Sequence, residues 1–303
     1  MKIVLAGATG FLGTVLVQKL AARGDSVTIL SRRATSRPGQ FASEVRFAQW
    51  DGKNQGAWGT ALSGADAVIN LSGESIAGGW WTPQRKRRIL ESRVQPTRAL
   101  VNALRSIPFA PAILINASAT GYSGSTGSGQ VTESDAPGAG FLADTCRQWE
   151  AEALAATDVG TRVVLPRFGV VLGPGGGVLQ KMVLPFRFFA GGPLGSGRQW
   201  ISWVHIDDVC GAVVYALDQR ELAGPVNVVA PQPVTMDVFS GELGRALGRP
   251  SWLRAPGWAL RAVLGEMSEL VLEGRQIVPR RLLESQYPFA YRDLSAALRS
   301  LVS

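Results

Sequence analysis

The 303-residue chain has one histidine, His205, and two cysteines, Cys146 and Cys210. So few soft donors, so widely separated, exclude a structural zinc site of ordinary spacing. Two thiols cannot build a disulfide framework either, which fits a reducing compartment. Lysine is nearly as scarce: Lys2, Lys19, Lys53, Lys86 and Lys181 are the only lysines among 31 basic residues. None of them lies four residues after any of the four tyrosines, Tyr122, Tyr215, Tyr287 and Tyr291. No apolar run reaches the roughly 18 uncharged residues that would suggest a membrane helix. Lys2 followed by Ile3 to Val17 resembles a signal peptide only on the surface. Its three spaced glycines and the lack of a small-residue cleavage site point to a cytoplasmic protein with no membrane partner.

What is present begins at the N-terminus. The apolar run Ile3–Ala6 leads directly into Gly7-Ala8-Thr9-Gly10-Phe11-Leu12-Gly13, after which Leu12, Val15, Leu16 and Leu20 recur near a helical period. Strand, spaced glycines, helix is the arrangement that lets a backbone turn tightly against a diphosphate. The unpaired N–H groups and the dipole of the helix start then favour the anion. Gly7, Thr9, Gly10, Phe11, Leu12 and Gly13 are the expected cofactor contacts of this turn.

Further runs at Val27–Leu30, Val45–Ala48, Ala67–Leu71, Ile113–Ile115, Arg162–Leu165 and Val226–Val229 alternate with helix-like segments. This predicts an α/β Rossmann-type fold, a doubly wound parallel sheet with helices on both faces. Residues 1–170 are expected to form the dinucleotide domain, with a strand returning near 225–229, and 171–303 mainly a smaller C-terminal substrate lobe. The Gly- and Ser-rich segment 123–140 reads as a surface loop near the site. Segment 173–203 reads as a long mobile excursion that could cover a substrate. Trp258, Val263, Leu264, Met267, Leu270 and Val271 lie near helical spacing and read as a packing face.

The second strand exits into Ser31-Arg32-Arg33, where an NAD site would carry an acid for the ribose hydroxyls. Arginine instead suits a 2′-phosphate, so the expected cofactor is NADP. Asp51, after the third strand, could accept from an adenine amino group or simply close a turn. Leu71, Ser72 and Gly73 would bring backbone to the adenosine and diphosphate, and Arg93 could reach the diphosphate or face water. The net charge of +8 suits an anionic partner. Its densest cluster, Arg85-Lys86-Arg87-Arg88, has no accompanying nucleic-acid motif and reads as a solvated helix face.

The chain resembles the extended short-chain dehydrogenase/reductases, the group of sugar-nucleotide epimerases and dehydratases. The likeness is carried by the glycine turn, Asn70–Gly73, Ser118-Ala119-Thr120-Gly121-Tyr122, Pro166-Arg167-Phe168-Gly169 and Trp203–Val209. It is similar, more narrowly, to the atypical "epimerase family" branch through Asn70–Glu74, Leu184-Pro185-Phe186, Gly191–Gly197 and Val278–Leu283. The resemblance implies NADP chemistry at one end of the sheet, with Ser118 in the serine position of the proton relay. The tyrosine and lysine of that relay should fall within Phe141–Ala153, where the chain instead reads Cys146-Arg147-Gln148-Trp149-Glu150. A carboxylate one turn from Cys146 opposes thiolate formation, so Cys146 is expected to be structural.

Ser118, Tyr122 and Glu74 are the candidate catalytic residues, Glu74 as a base if burial raises its pKa. Glu133 reads mainly as a turn residue, and His205 as an organiser of the substrate lobe. The expected function is an NADP-dependent oxidoreductase or epimerase-like enzyme acting on a small, nucleotide-linked or other substrate. The alternative is a non-catalytic NADP(H)-binding sensor or assembly protein, suggested by the missing Tyr/Lys pair. Relatives in the resembling group often pair through helices, so a homodimer is compatible, though no pattern in this sequence specifies one.

Overall fold

In a computed structural model describing residues 1–33, 41, 45–125, 127 and 129–302, the apolar runs become strands, most of them buried on both faces and the one at Arg46–Gln49 a half-exposed edge strand. The first half contains β1 (Lys2–Ala6), α1 (Phe11–Ala22), β2 (Ser26–Ser31), β3 (Arg46–Gln49), β4 (Ala67–Asn70) and α2 (Pro83–Arg105). It continues through β5 (Ile113–Asn116), β6 (Ser118–Ala119), β7 (Gln130–Val131), α3 (Phe141–Leu154) and β8 (Arg162–Phe168). Then come β9 (Val170–Leu172), α4 (Leu179–Arg187), β10 (Trp200–Ile201), β11 (Trp203–His205), α5 (Ile206–Asp218) and β12 (Gly224–Val228). The last part holds β13 (Val234–Thr235), α6 (Met236–Leu247), α7 (Gly257–Leu264) and β14 (Gln276–Ile277).

The main sheet has eight strands in the order β12-β8-β5-β4-β1-β2-β3, with β6 paired to β8, and all of its pairings are parallel. Its side chains alternate between two cores, as a pleated strand requires. Ile3 and Leu5 of β1 join Leu16, Val17 and Leu20 of α1 and Val209 and Val213 of α5 on one face. Val4 and Ala6 join Leu100 and Leu104 of α2, Trp58 and Leu62 on the other. Fully burying one such leucine contributes roughly 1.5–3 kcal/mol, so each helix is fixed by a few contacts rather than by intrinsic propensity. Strand order reverses between β1 and β4, which opens a crevice at the carboxyl ends of the strands.

A separate core, with Leu172, Leu179, Val183, Phe186, Trp203, Phe239, Leu243 and Leu298, lies under α4, α6 and the final helix Leu294–Val302. The stretch expected as a mobile excursion is therefore largely built. α4 and β10 lie within it and β11 begins at its end, and Leu179, Val183, Phe186 and Ile201 anchor it by their burial. The 123–140 loop is also tied down. β7 pairs with β14 in parallel, Arg275 Nη1 donates to the Ser123 carbonyl (3.2 Å), and the Ser202 hydroxyl donates to the Arg275 carbonyl (2.9 Å). The expected packing face near 258–271 divides. Leu264, Met267 and Leu270 pack with Trp81 and Ile89, whereas Trp258 and Val263 face solvent.

Candidate active site

The glycine turn is built by close approach rather than by side chains. Gly7 has φ +82°, a left-handed conformation, and a Cβ there would lie 2.6 Å from the Leu71 carbonyl carbon. A Cβ on Gly13 would collide with the Gly7 carbonyl oxygen and with the Ala8 backbone. Gly10 N–H donates to the Gly7 carbonyl (3.2 Å) and Gly10 caps α1 in an extended conformation. No side chain caps α1 and no acid lies in its first turn, so its leading N–H groups remain open to an anion. Thr9, Phe11 and Leu12 occupy this same turn. The Phe11 ring is covered by glycines of the loop after β9, where a Cβ at Gly173, Gly176 or Gly177 would meet it at 2.8, 2.6 and 3.2 Å.

The neighbouring strand end is held by a buried polar hub. Asn70 Nδ2 donates to Thr97 Oγ1 (2.9 Å) and Asn116 Oδ1 (2.7 Å), and Asn70 Oδ1 accepts the Ser72 N–H (3.0 Å). Trp149 Nε1 donates to the same Thr97 hydroxyl (3.0 Å). Leu71 N–H donates to the Ala6 carbonyl (2.9 Å), which places Leu71, Ser72 and Gly73 beside the glycine turn. Arg93 runs under this loop rather than into water. Its Nη1 donates to the Ile89 carbonyl (2.8 Å) and its Nη2 to the Glu74 carbonyl (3.0 Å), with Trp149 beneath at 5.3 Å. Burial lowers its pKa from the ordinary arginine value, and among the described residues it has no carboxylate partner.

Ser31, Arg32 and Arg33 lie at the exit of β2, with both arginines exposed and the Arg33 N–H on Ser31 Oγ (3.2 Å). Asp51 closes a turn: Oδ1 accepts the Lys53 (2.8 Å) and Asn54 (2.9 Å) N–H groups, and these backbone bonds hold its carboxyl below the usual aspartate range.

Beyond β5 and β8 sits a cluster that the sequence did not announce. Glu150, on the inner face of α3 one turn after Cys146, is 5% exposed and accepts the Ser118 hydroxyl at 2.6 Å. Arg167 of β8, 2% exposed, grips the same carboxylate with Nε and Nη2, each at 2.8 Å. Its guanidinium carbon lies 3.4 Å from the centroid of the Tyr122 ring, and Nη1 is buried without a partner. The bidentate ion pair raises the Arg167 pKa although burial opposes it. An available signal was Arg167 itself, a charged residue within the otherwise buried strand Val163–Phe168, which requires an acid nearby. Cys146 is pushed up to about 11, first by burial and then by Glu150, and rests against the Ala119 carbonyl as an inert thiol.

The remaining candidates separate from this cluster. Glu74 is not buried as a base would require. Its side chain is 36% exposed and paired with Arg85, with Arg88 at 3.9 Å. Apart from Arg93, the other cations of the helix are also engaged: Lys86 with Glu266, Arg87 with Glu91, Arg98 with Glu152 and Arg105 with Asp158. Glu133 is a buried bridge rather than a turn acid, since its Oε1 accepts the Asn227 (3.0 Å) and Arg281 (3.3 Å) N–H groups. His205 caps α5 through Nδ1, which accepts the Asp207 N–H (3.1 Å), and stacks on Tyr291 at 3.8 Å. Among the described residues no group of His, Cys, Asp and Glu could hold a metal, and no helix is long and apolar enough to cross a membrane.

A parallel sheet with a glycine turn at its switch point defines an α/β dinucleotide-binding protein. Residues 3–229 match the NAD dependent epimerase/dehydratase family, and the chain belongs to that family. Residues 255–301 match a domain of unknown function, DUF1731. The chain is 39% identical to the chloroplastic epimerase family protein SDR39U1 homolog of Arabidopsis thaliana, covering all of this chain and 87% of that one. It is 38% identical to the epimerase family protein YfhF of Bacillus subtilis, covering 100% and 98%. Its fold is similar to the crystal structure of human epimerase family protein SDR39U1 (isoform 2) with NADPH, with a TM-score of 0.90, 34% identity, and 100% and 99% coverage.

Proposed function

We propose that the protein is an NADP-dependent oxidoreductase or epimerase-like enzyme acting on a small substrate. The observation that carries this reading is the Ser118–Glu150–Arg167–Tyr122 cluster at the carboxyl end of the parallel strands, the end that also carries the glycine turn. Gly7, Thr9, Gly10, Phe11, Leu12 and Gly13, with the open N–H groups of α1, would hold the diphosphate. Leu71, Ser72, Gly73 and Arg93 would flank it, Arg93 supplying a cation that has no internal counter-ion. Asp51 would border the adenine, and Ser31, Arg32 and Arg33 would take the 2′-phosphate, for which exposed guanidinium groups are the suitable donors. The human relative's NADPH supports this choice of coenzyme. When bound, the coenzyme supplies or accepts hydride.

The chain's own groups then move the proton. Glu150 accepts a hydrogen bond from the Ser118 hydroxyl, so Ser118 Oγ would present its lone pairs to the crevice and suit a substrate hydroxyl as acceptor. As that hydroxyl loses its proton to Ser118, Ser118 passes its own to Glu150. Arg167 is a positioning residue that holds the carboxylate and backs the Tyr122 ring, and Tyr122 faces the substrate as a hydrogen-bonding wall. This arrangement reverses the charge of a tyrosine–lysine relay, because an acid occupies the lysine position. Glu74, paired with arginine, orders the loop.

Coenzyme binding and turnover separate in one experiment. The Arg32→Ser/Arg33→Ser variant should lose NADPH affinity about tenfold or more while NADH binding changes little. Ser118→Ala/Tyr122→Phe should keep NADPH affinity and lose about a hundredfold in turnover of a reactive member of a carbonyl and nucleotide-sugar panel. NADPH binding by the wild type without turnover of any panel member would favour a sensor or assembly role instead.

A further inference from the structure

The region between α4 and α7 presents large apolar side chains that nothing in the chain covers. Phe188 is 75% exposed and Trp252 69%, with Phe189, Leu253 and, one turn back on α4, Leu184 exposed beside them. The chain leaving α4 and the 252–253 segment are tied together. Trp252 Nε1 donates to the Phe189 carbonyl (2.9 Å), and the Trp252 and Leu253 N–H groups donate to the Gly191 carbonyl (3.1 Å each). A few residues further, α7 has no buried residue and exposes Trp258 and Val263.

Two features define the face. Phe189 has φ +59° as the left-handed residue that closes α4, with its N–H on the Phe186 carbonyl and the Ala190 N–H on the Pro185 carbonyl, which turns the chain so that Phe188 and Phe189 stay outside the core. The indole N–H of Trp252 is already satisfied inside the chain, so burying its ring in an apolar medium strands no donor. The rim is basic. Arg249 stacks over Phe189 at 4.5 Å, and Arg187 ends α4. Among the described residues neither pairs with a carboxylate, whereas Arg254 does, with Asp237.

We infer that this face docks on an anionic membrane surface. Exposed Trp and Phe would sit among the headgroups and upper acyl chains, and Arg187 and Arg249 would meet lipid phosphates. Such contact is peripheral and needs no spanning helix. A protein partner would have to supply its own acids opposite both arginines. A lipid surface carries them everywhere, and it also accommodates scattered aromatics without fixed pockets.

Vesicle sedimentation tests the inference independently of any enzymatic reading. The full chain should bind phosphatidylcholine vesicles containing phosphatidylglycerol, with a blue shift in tryptophan emission, and should bind pure phosphatidylcholine vesicles much less. Phe188→Ser/Trp252→Ser should weaken binding at least about tenfold, as should Arg187→Gln/Arg249→Gln, with NADPH affinity and thermal midpoint unchanged. Absence of binding to the anionic vesicles, or binding equally strong in both variants, would overturn it. So would a wild-type dimer in solution that the Phe188→Ser/Trp252→Ser variant dissociates, since the face would then belong to a second copy.

Discussion

The two ends of the crevice are built from opposite materials. At the proposed diphosphate end, the recognition surface is backbone: Gly7 and Gly13 have no room for a Cβ, and no side chain caps the N–H groups that open α1. At the proposed reacting end it is side chain: Ser118 and Tyr122 of one segment meet Glu150 of α3 and Arg167 of β8. Backbone recognition is fixed by local spacing. Side-chain recognition depends on α3 and β8 being brought together by the fold. The first therefore tolerates little change at its glycines, whereas the second could exchange one charge pattern for another as long as every buried charge kept a partner.

Substitution at each end should expose that difference. The largest effect is expected from Gly13→Val, which drives a side chain into the Gly7 carbonyl and the Ala8 backbone. Calorimetry should find NADPH affinity reduced by about a hundredfold or more, because α1 can no longer approach the turn. At the other end, Arg167→Met should cost about 3–5 kcal/mol in urea unfolding by leaving the buried Glu150 carboxylate without its cation. Adding Glu150→Met should recover part of that loss, since a pair of apolar residues strands no charge. A double variant no more stable than Arg167→Met would show that the ion pair is not the source of the cost.

The smallest effect lies outside both ends, at His205, whose pKa burial lowers from its ordinary value near 6.5 while Asp207 partly opposes the shift. The folded state therefore takes up this proton less readily than the unfolded chain. The associated stability is complete above about pH 6.5 and declines as pH falls from there toward the folded-state value. His205→Asn should flatten the fall in thermal midpoint over that acidic window. A wild-type and variant difference constant with pH would assign the decline to other groups.

The contrast also explains what could be read from sequence. The order of strands and helices was legible because Ile3–Ala6, 67–69 and Ile113–Ile115 are buried on both faces and so apolar throughout. The glycine turn was legible because its requirement is local. The absence of a Tyr/Lys pair was equally plain, but its replacement was not, since Glu150 and Arg167 meet only across the packing of α3 on the sheet. Glu133 showed the same limit: a loop acid by composition, it is buried by two N–H groups from residues 227 and 281. The face around Trp258 read as core because periodicity records apolarity and is silent on whether anything covers it.

The parallel pairing of β7 with β14 has a consequence for synthesis. The loop after the Ser118 strand is secured by Arg275, Ile277 and the Arg281 amide, all encoded more than 140 residues later. A nascent chain emerging from the ribosome can assemble β1 to β5 early. It must wait until nearly its whole length has been translated before that loop acquires its final anchors.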